Sequence, residues 1–300
     1  MSAEAASPAG ARWAYVLLWV VPALWSSNYL IARLAAGVIS PHGLALGRWG
    51  LALLLMLPFV GAELWRERAA LRSEWRQLLV LGGLGMWICG AFVYQGGLTT
   101  SATNIALIYA VTPVAIAVVG VKMLHERMSG AQRVAVLFAL AGVLFIIAKG
   151  DIGNLLAVRF TVGDGWILIA AVAWTAYSVL LKRWPSRLTP LARLAAIVAG
   201  GIVVMLPFTV IELSLVELSP LAPQAIGLIV LAALVPGVFS YGAYSYLQRE
   251  LGASRTALLL YLAPVYGGLL AWAVLGERPG LHHLVGAVFI LPSIWLATRR

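Results

Sequence analysis

Met56-Leu57-Pro58-Phe59, MLPF, recurs letter for letter at Met205-Leu206-Pro207-Phe208, 149 positions later in a chain of 300 residues. A chain that is 62% apolar repeats short apolar words by chance, so the match has weight only if other features recur at the same interval. They do. Trp25 is answered by Trp174, Ser26 by Thr175, Arg33 by Lys182, and Ser40-Pro41 by Thr189-Pro190, all without a gap. Further along the interval becomes 151: SATNIALIYAVTPV (Ser101 to Val114) lies over GASRTALLLYLAPV (Gly252 to Val265), with Ala102, Ala106, Leu107, Pro113 and Val114 matched, and Glu126-Arg127 falls on Glu277-Arg278. The chain reads as two copies of one unit.

The units lie in a membrane. Charged residues are 11% of the chain and the mean hydropathy is +0.94, against about 25% charged residues in soluble domains. Ten apolar stretches are long enough to cross a hydrocarbon core about 30 Å thick: Trp13 to Ala36, Gly43 to Ala62, Gln77 to Gly97, Ala102 to Met123, Gln132 to Ala148, Gly163 to Leu181, Leu191 to Leu213, Gln224 to Leu247, Arg255 to Leu275 and His282 to Thr298. We number them stretches 1 to 10. The expected fold class is an all-α integral membrane protein of ten transmembrane helices. A soluble bundle is excluded because runs such as Leu51 to Phe59 offer water no polar face. The opening MSAEAASPAGAR lacks the basic region and cleavage site of a signal peptide, so residues 1–12 are expected to remain as a cytoplasmic tail. The single cysteine, Cys89, lies in mid-stretch, which leaves neither a disulfide framework nor a cysteine-pair metal site. No metal or cofactor is expected.

Basic residues set the orientation, since Lys and Arg accumulate in cytoplasmic loops. With the amino terminus inside, the cytoplasmic segments hold Arg12, Arg66, Arg68, Arg72, Arg76, Lys122, Arg127, Arg133, Lys182, Arg183, Arg187, Arg193, Arg249, Arg255, Arg299 and Arg300, most of the 21 basic residues. Arg33, Lys149, Arg159 and Arg278 fall on the other face, and Arg48 lies within stretch 2. Both termini are therefore expected in the cytoplasm. The net charge of +10 is a topology signal facing anionic lipid headgroups, and calls for no nucleic-acid partner.

Five stretches per copy is an odd number, so the second unit enters the membrane from the opposite side. Residues 13–150 and 151–300 are expected to form two inverted five-helix repeats around a central cavity. Two similar units of opposite orientation can exchange conformations, giving inward-open and outward-open states around a site at their interface. That is a transporter's architecture.

The ALWSSNY and VAWTAYS segments of stretches 1 and 6, the Pro41 to Arg48 stretch, the prolines in AVTPV and YLAPV and the Glu-Arg pairs ending stretches 4 and 9 resemble EamA-type members of the drug/metabolite transporter superfamily, over nearly the whole chain. The resemblance implies a cavity bounded chiefly by stretches 3, 4, 8 and 9, with 1, 2, 6 and 7 completing and gating it. Within the superfamily the chain is similar to bacterial amino-acid and metabolite exporters, which implies the bacterial inner membrane. The WLATRR ending and abundant aromatic residues are features shared with exporters of aromatic amino acids. Arg48 is matched in the second copy by Ile197, so the copies have diverged there.

Polar and aromatic residues within the stretches mark the expected pathway. Tyr241, Tyr244, Ser245 and Gln248 of stretch 8 recur at helical spacing and form one face that would be costly against lipid. Stretch 3 offers Trp87 and Tyr94 with Gln95 alongside. Stretches 1 and 6 offer Trp25, Asn28 and Tyr29 against Trp174, Tyr177 and Ser178. Interfacial belts and helix packing account equally well for any single one of these. Pro113 and Pro264 each remove a backbone donor at mid-stretch, with Asn104 and Thr112 near the first break and Tyr261 near the second. They are expected to bend and gate stretches 4 and 9. Ala195, Ala196, Ala199 and Gly200 form small-xxx-small pairs suited to close helix packing. Arg48 is read either as an anchor for a substrate carboxylate or, in preference, as a structural pin that snorkels outward.

No Asp or Glu lies at mid-stretch, which disfavours a proton-coupled antiporter of lipophilic cations. The four histidines sit at stretch ends, and no GxSxG, HExxH or phosphate loop is present, which disfavours an intramembrane enzyme. The expected function is export of small amphipathic metabolites by alternating access, amino acids with aromatic or large apolar side chains foremost. A multidrug or nucleoside-like metabolite transporter of the same fold is the alternative. The expected partners are a small-molecule substrate and membrane lipid, with a monomer as the working unit.

Overall fold

The computed structural model describes residues 8–126, 128–216, 221–275 and 280–298. Among the described residues there is no strand. The helices are α1 (Pro8–Ala35), α2 (Pro41–Arg66), α3 (Arg68–Gly97), α4 (Ala102–Ala110 continued by Thr112–Leu124), α5 (Gly130–Ile147), α6 (Val162–Arg183), α7 (Pro190–Leu215), α8 (Pro223–Leu251), α9 (Ala253–Ala257, Leu258–Leu262 and Ala263–Leu275 in succession) and α10 (Leu281–Thr298). A single helical turn, Gly153–Leu156, lies between α5 and α6. Among the described residues eight helices, α1 to α8, are long and apolar enough to cross a membrane. α9 is divided by its breaks, and α10 contributes the shorter apolar segment Leu281–Leu296.

The repeated Ser/Thr-Pro dipeptides are helix starts. Ser40 accepts the Gly43 amide and Thr189 the Ala192 amide, and each is followed by a proline at the first helical position, where a missing N–H costs nothing. Each start is also held by the far end of its repeat counterpart. Glu212, near the end of α7, accepts from the His42 amide at 2.8 Å and meets the His42 ring at 2.9 Å. Glu63, near the end of α2, accepts from the Thr189 amide and hydroxyl, both at 2.7 Å. Glu63 and Glu212 are themselves 149 positions apart, a further match at the MLPF interval. The two latches require α2 and α7 to run antiparallel.

The packing interleaves the two copies. α1 lies on α8 and α9, α6 on α3 and α4, α7 on α2 and α3, and α10 along α5. Glycines permit the closest approaches: a Cβ on Gly82 of α3 would stand 2.2 Å from the Gly201 backbone nitrogen of α7, and one on Gly142 of α5 would stand 2.8 Å from the Gly286 carbonyl of α10. At the end of α4 the chain reverses through His125 in the left-handed region (φ 54°), and the Glu126 carboxylate accepts the amides of Ala253 and Ser254, which start α9. Its counterpart Glu277 lies outside the described residues, as do Arg127, Arg278, Arg299 and Arg300.

α3 and α8 each contain a π-helical segment, Gly83–Phe92 and Leu234–Phe239, whose starts are 151 positions apart. The wider turn shifts the backbone hydrogen bonds and marks functional helices more often than ordinary ones. Here both segments turn carbonyls toward the other copy. The Gly85 carbonyl accepts from the Tyr241 hydroxyl at 3.1 Å, and the Pro236 carbonyl, 151 positions on, accepts from Arg48 Nη2 at 2.7 Å.

Candidate functional site

Between α1, α3, α6, α8 and α9 lies a partly open cavity of about 100 Å³. Its wall is formed by Pro22, Trp25 and Asn28 of α1, Cys89 and Val93 of α3, Tyr109 of α4, Trp174 of α6, Tyr241 of α8, and Leu259, Leu260 and Ala263 of α9. Thus α1 contributes as much as α9, and α6 enters directly rather than only gating. Trp25 and Trp174, the repeat-matched tryptophans, touch edge to face with ring centres 5.2 Å apart. Tyr241 stands 5.8 Å from Trp25 and 5.6 Å from Trp174, also edge to face. Rings in this arrangement set a positive edge on a negative face and present apolar flanks to anything between them.

A layer of polar bonds backs the cavity through Tyr244, whose ring centre lies 5.1 Å from those of both Trp25 and Trp174. The Tyr244 hydroxyl lies 2.9 Å from Ser178 Oγ and accepts from Gln248 Nε2 at 3.0 Å, and Gln248 also donates to the Ser178 carbonyl. Lys182 Nζ adds a bond to the Gln248 carbonyl at 3.0 Å. Tyr244 is fully buried and Tyr177 stacks on Trp174 at 5.3 Å, so both support the cavity from behind its wall.

Beside Asn28 stands Arg48, 2% exposed. It does not snorkel. Its Nη1 donates to Asn28 Oδ1 at 3.3 Å and to the Tyr94 hydroxyl at 3.2 Å, and the Tyr94 hydroxyl donates to Asn28 Oδ1 at 2.8 Å. Its guanidinium carbon lies 4.5 Å from the Trp49 ring centre. The outward route that a long cationic side chain usually takes is replaced here by three acceptors and an aromatic face within the protein.

The structure thus brings Trp25, Asn28, Trp174 and Tyr241 into the wall, with Tyr94, Tyr177, Tyr244 and Gln248 in direct support. It sends others elsewhere. Trp87 stacks on Phe208 at 4.2 Å and does not face α8. The spacing of Trp87 and Tyr94 assumes about 100° per residue, and the π-helical segment between them advances by less, so they leave a common face. Gln95 lines a separate recess of about 470 Å³ beside His42 and Glu212. Asn104 donates to Asp164 at 2.9 Å and to the Arg159 carbonyl, joining the starts of α4 and α6. Ser245 is half-buried, and Thr112 and Tyr261 are buried with hydroxyls that meet no partner among the described residues. The Tyr29 side chain lies outside the described residues.

Both prolines break their helices as expected: Val111 interrupts α4 before Pro113, and Leu258–Leu262 tightens to a 3₁₀ turn before Pro264. The carbonyls they release are re-bonded locally, Leu260 by the Ala263 amide and Tyr109 by the Val111 amide. Tyr109 and Leu260, each four residues before its proline, both line the cavity, and that offset is the mark they carry in the sequence.

Comparison with known proteins bears on this arrangement. The model of the EamA-like transporter family matches residues 12–148 and again 161–299. The uncharacterized transporter YyaM of Bacillus subtilis is 28% identical over 95% of this chain and 93% of its own length. A probable terminal-alkyne amino-acid exporter of Streptantibioticus cattleyicolor is 26% identical over 97% of this chain and 94% of its own. A solved crystal structure, 20% identical, superposes with a TM-score of 0.75 over 95% of this chain and 96% of that one, which shows the fold alone.

Proposed function

The chain belongs to the EamA-like transporter family as a multi-pass membrane protein, and from that premise we propose that it exports small amphipathic solutes, amino acids with aromatic or large apolar side chains foremost, by alternating access. The observation that carries this reading is the aromatic cavity in whose wall the repeat-matched Trp25 of α1 and Trp174 of α6 meet. The amino-acid exporter among the relatives supports the solute class. The cavity measures about 100 Å³ in this conformation, and in alternating access its walls part as the solute loads. Breaks before Pro113 and Pro264 supply bending points in α4 and α9 on either side.

Counterflow of radiolabelled amino acids in proteoliposomes tests the proposal. Trp25→Leu is expected to weaken apparent affinity for Phe by a few-fold to about tenfold, since an aromatic pair contributes about 0.5 to 1.5 kcal/mol beyond area burial. Alanine is expected to be affected less. Counterflow of no amino acid by the parent protein would remove the solute assignment.

In the same proposal the chain makes ten crossings as two inverted repeats with both termini in the cytoplasm. The antiparallel latches between α2 and α7 support it, because matched helices of inverted copies run in opposite directions. In a Cys89→Ala background, single cysteines at Arg68 and Arg187 are expected to react with an impermeant maleimide only from the cytoplasm, and one at Ala222 only from outside. Cytoplasmic labelling at Ala222 contradicts the inversion.

A further inference from the structure

The hydrogen bonds around Asn28 fix which way its amide faces. Arg48 can only donate, so the Tyr94 hydroxyl that accepts from it directs its own hydrogen to Asn28. Two donors therefore converge on one side of the amide, at 3.3 Å from Arg48 Nη1 and 2.8 Å from Tyr94, and that side must be the oxygen. A flipped amide would aim its hydrogens at a guanidinium. The NH₂ group is left with no acceptor among the described residues, on a residue that lines the cavity.

Other groups around the cavity show the same excess of donors. Trp174, in the wall and 5% exposed, has an indole Nε1 with no acceptor among the described residues, as has Arg48 Nε. Two of the wall's carbonyls each already take a donor, Ala263 from Ser26 Oγ and Leu260 from the Ala263 amide. No Asp or Glu lines the cavity, and no carboxylate among the described residues pairs with Arg48. A buried cation without a counter-charge, beside unpaired donors, favours a ligand that brings negative charge and lone pairs. An ammonium would bring three more donors to a wall that offers no carboxylate, with hydroxyl and carbonyl lone pairs alone to receive them.

We infer that the cavity recognises its solute by the carboxylate, through Asn28 held by Arg48 and Tyr94, and leaves the α-ammonium unread, so that apolar monocarboxylates with or without an amino group are its substrate class. This rests on the transport reading above and narrows it. Arg48 and Tyr94 are positioning residues, and Asn28 is the group that meets the solute.

Four solutes sharing one phenyl side chain test it: phenylalanine, 3-phenylpropanoate, phenylalanine methyl ester and phenethylamine. Binding is read by quenching of tryptophan fluorescence in detergent and flux by counterflow in proteoliposomes. The two carboxylates are expected to bind within a few-fold of each other, and the ester and amine at least about tenfold more weakly. Asn28→Asp, which pairs with Arg48 and presents an acceptor instead of a donor, is expected to weaken both carboxylates at least about tenfold and to leave phenethylamine unchanged or improved. Tyr94→Phe is expected to lose less, in the same direction. Ester or amine binding as tight as phenylalanine in the parent protein overturns the inference without need of any variant, as does an equal loss of all four solutes in a well-folded Asn28→Asp. Binding of only one of the two carboxylates also overturns the inference, and if that one is 3-phenylpropanoate it removes the amino-acid reading as well. If none of the four binds, both fall.

Discussion

Gly82→Ala is expected to leave little folded protein. The added Cβ would stand 2.2 Å from the Gly201 nitrogen, 2.5 Å from the Ile197 carbonyl oxygen and 2.7 Å from the Gly200 carbonyl carbon, all backbone atoms of α7. A flexible side chain can swing aside, but here two helices must separate along their length. Overpacking of this kind costs about 1 to 3 kcal/mol where neighbours can adjust, and more where they cannot. The separation would also disturb the start of the π-helical segment at Gly83, and with it the Gly85 carbonyl bonded by Tyr241. Gly50→Ala and Gly61→Ala, where a Cβ meets nothing within 4 Å, are the controls, and both are expected to match the parent. Monodisperse yield and the temperature of thermal aggregation in detergent provide the measurement. A Gly82→Ala protein as stable as the controls would show that the α3–α7 crossing is looser than described.

Arg48→Met is expected to separate function from stability. Apolar replacement of a buried charge relieves its desolvation and is frequently neutral or stabilising, so the variant should still fold. Transport should fall roughly ten- to a hundredfold, because a hydrogen bond to a charged group is worth about 1.5 to 3 kcal/mol and Asn28 loses the one from Arg48. Arg48→Lys keeps the charge but not the planar fork that serves Asn28, Tyr94 and the Pro236 carbonyl together, so it is expected to recover only part of the activity. Normal transport by a folded Arg48→Met would remove this residue from the account of the cavity.

The interval of 149 that exposes the repeats is visible because duplicated helices keep their caps, prolines and aromatic anchors in register. The same interval relates Glu63 to Glu212, and only the structure shows why that match matters, since each carboxylate acts on the other copy's helix start. The inward face of α8 is legible because Ser240–Leu251 is a regular α-helix, so its spacing places Tyr241, Tyr244 and Gln248 together. Trp87 is misread because the widening of α3 at Gly83–Phe92 changes the backbone hydrogen-bond pattern and leaves no mark in composition. Arg48 is misread for a different reason. Snorkelling is a rule for a cation facing lipid, and whether lipid or Asn28 lies in front of it depends on a helix from elsewhere in the chain.

The interleaving of the copies governs how the protein can be made. α1 finds its main neighbours only when α8 and α9 exist, and α2 is latched only when α7 ends at Glu212. At about 5 to 20 residues per second of synthesis, the roughly 150 residues from the end of α2 to the end of α7 take on the order of ten to thirty seconds. Through that time the helices already made stand with lipid against surfaces that later become core, and with the charge of Arg48 lacking its Pro236 acceptor. The amino-terminal copy is thus a membrane-inserted intermediate rather than a finished domain, and the carboxy-terminal copy completes its folding as it enters.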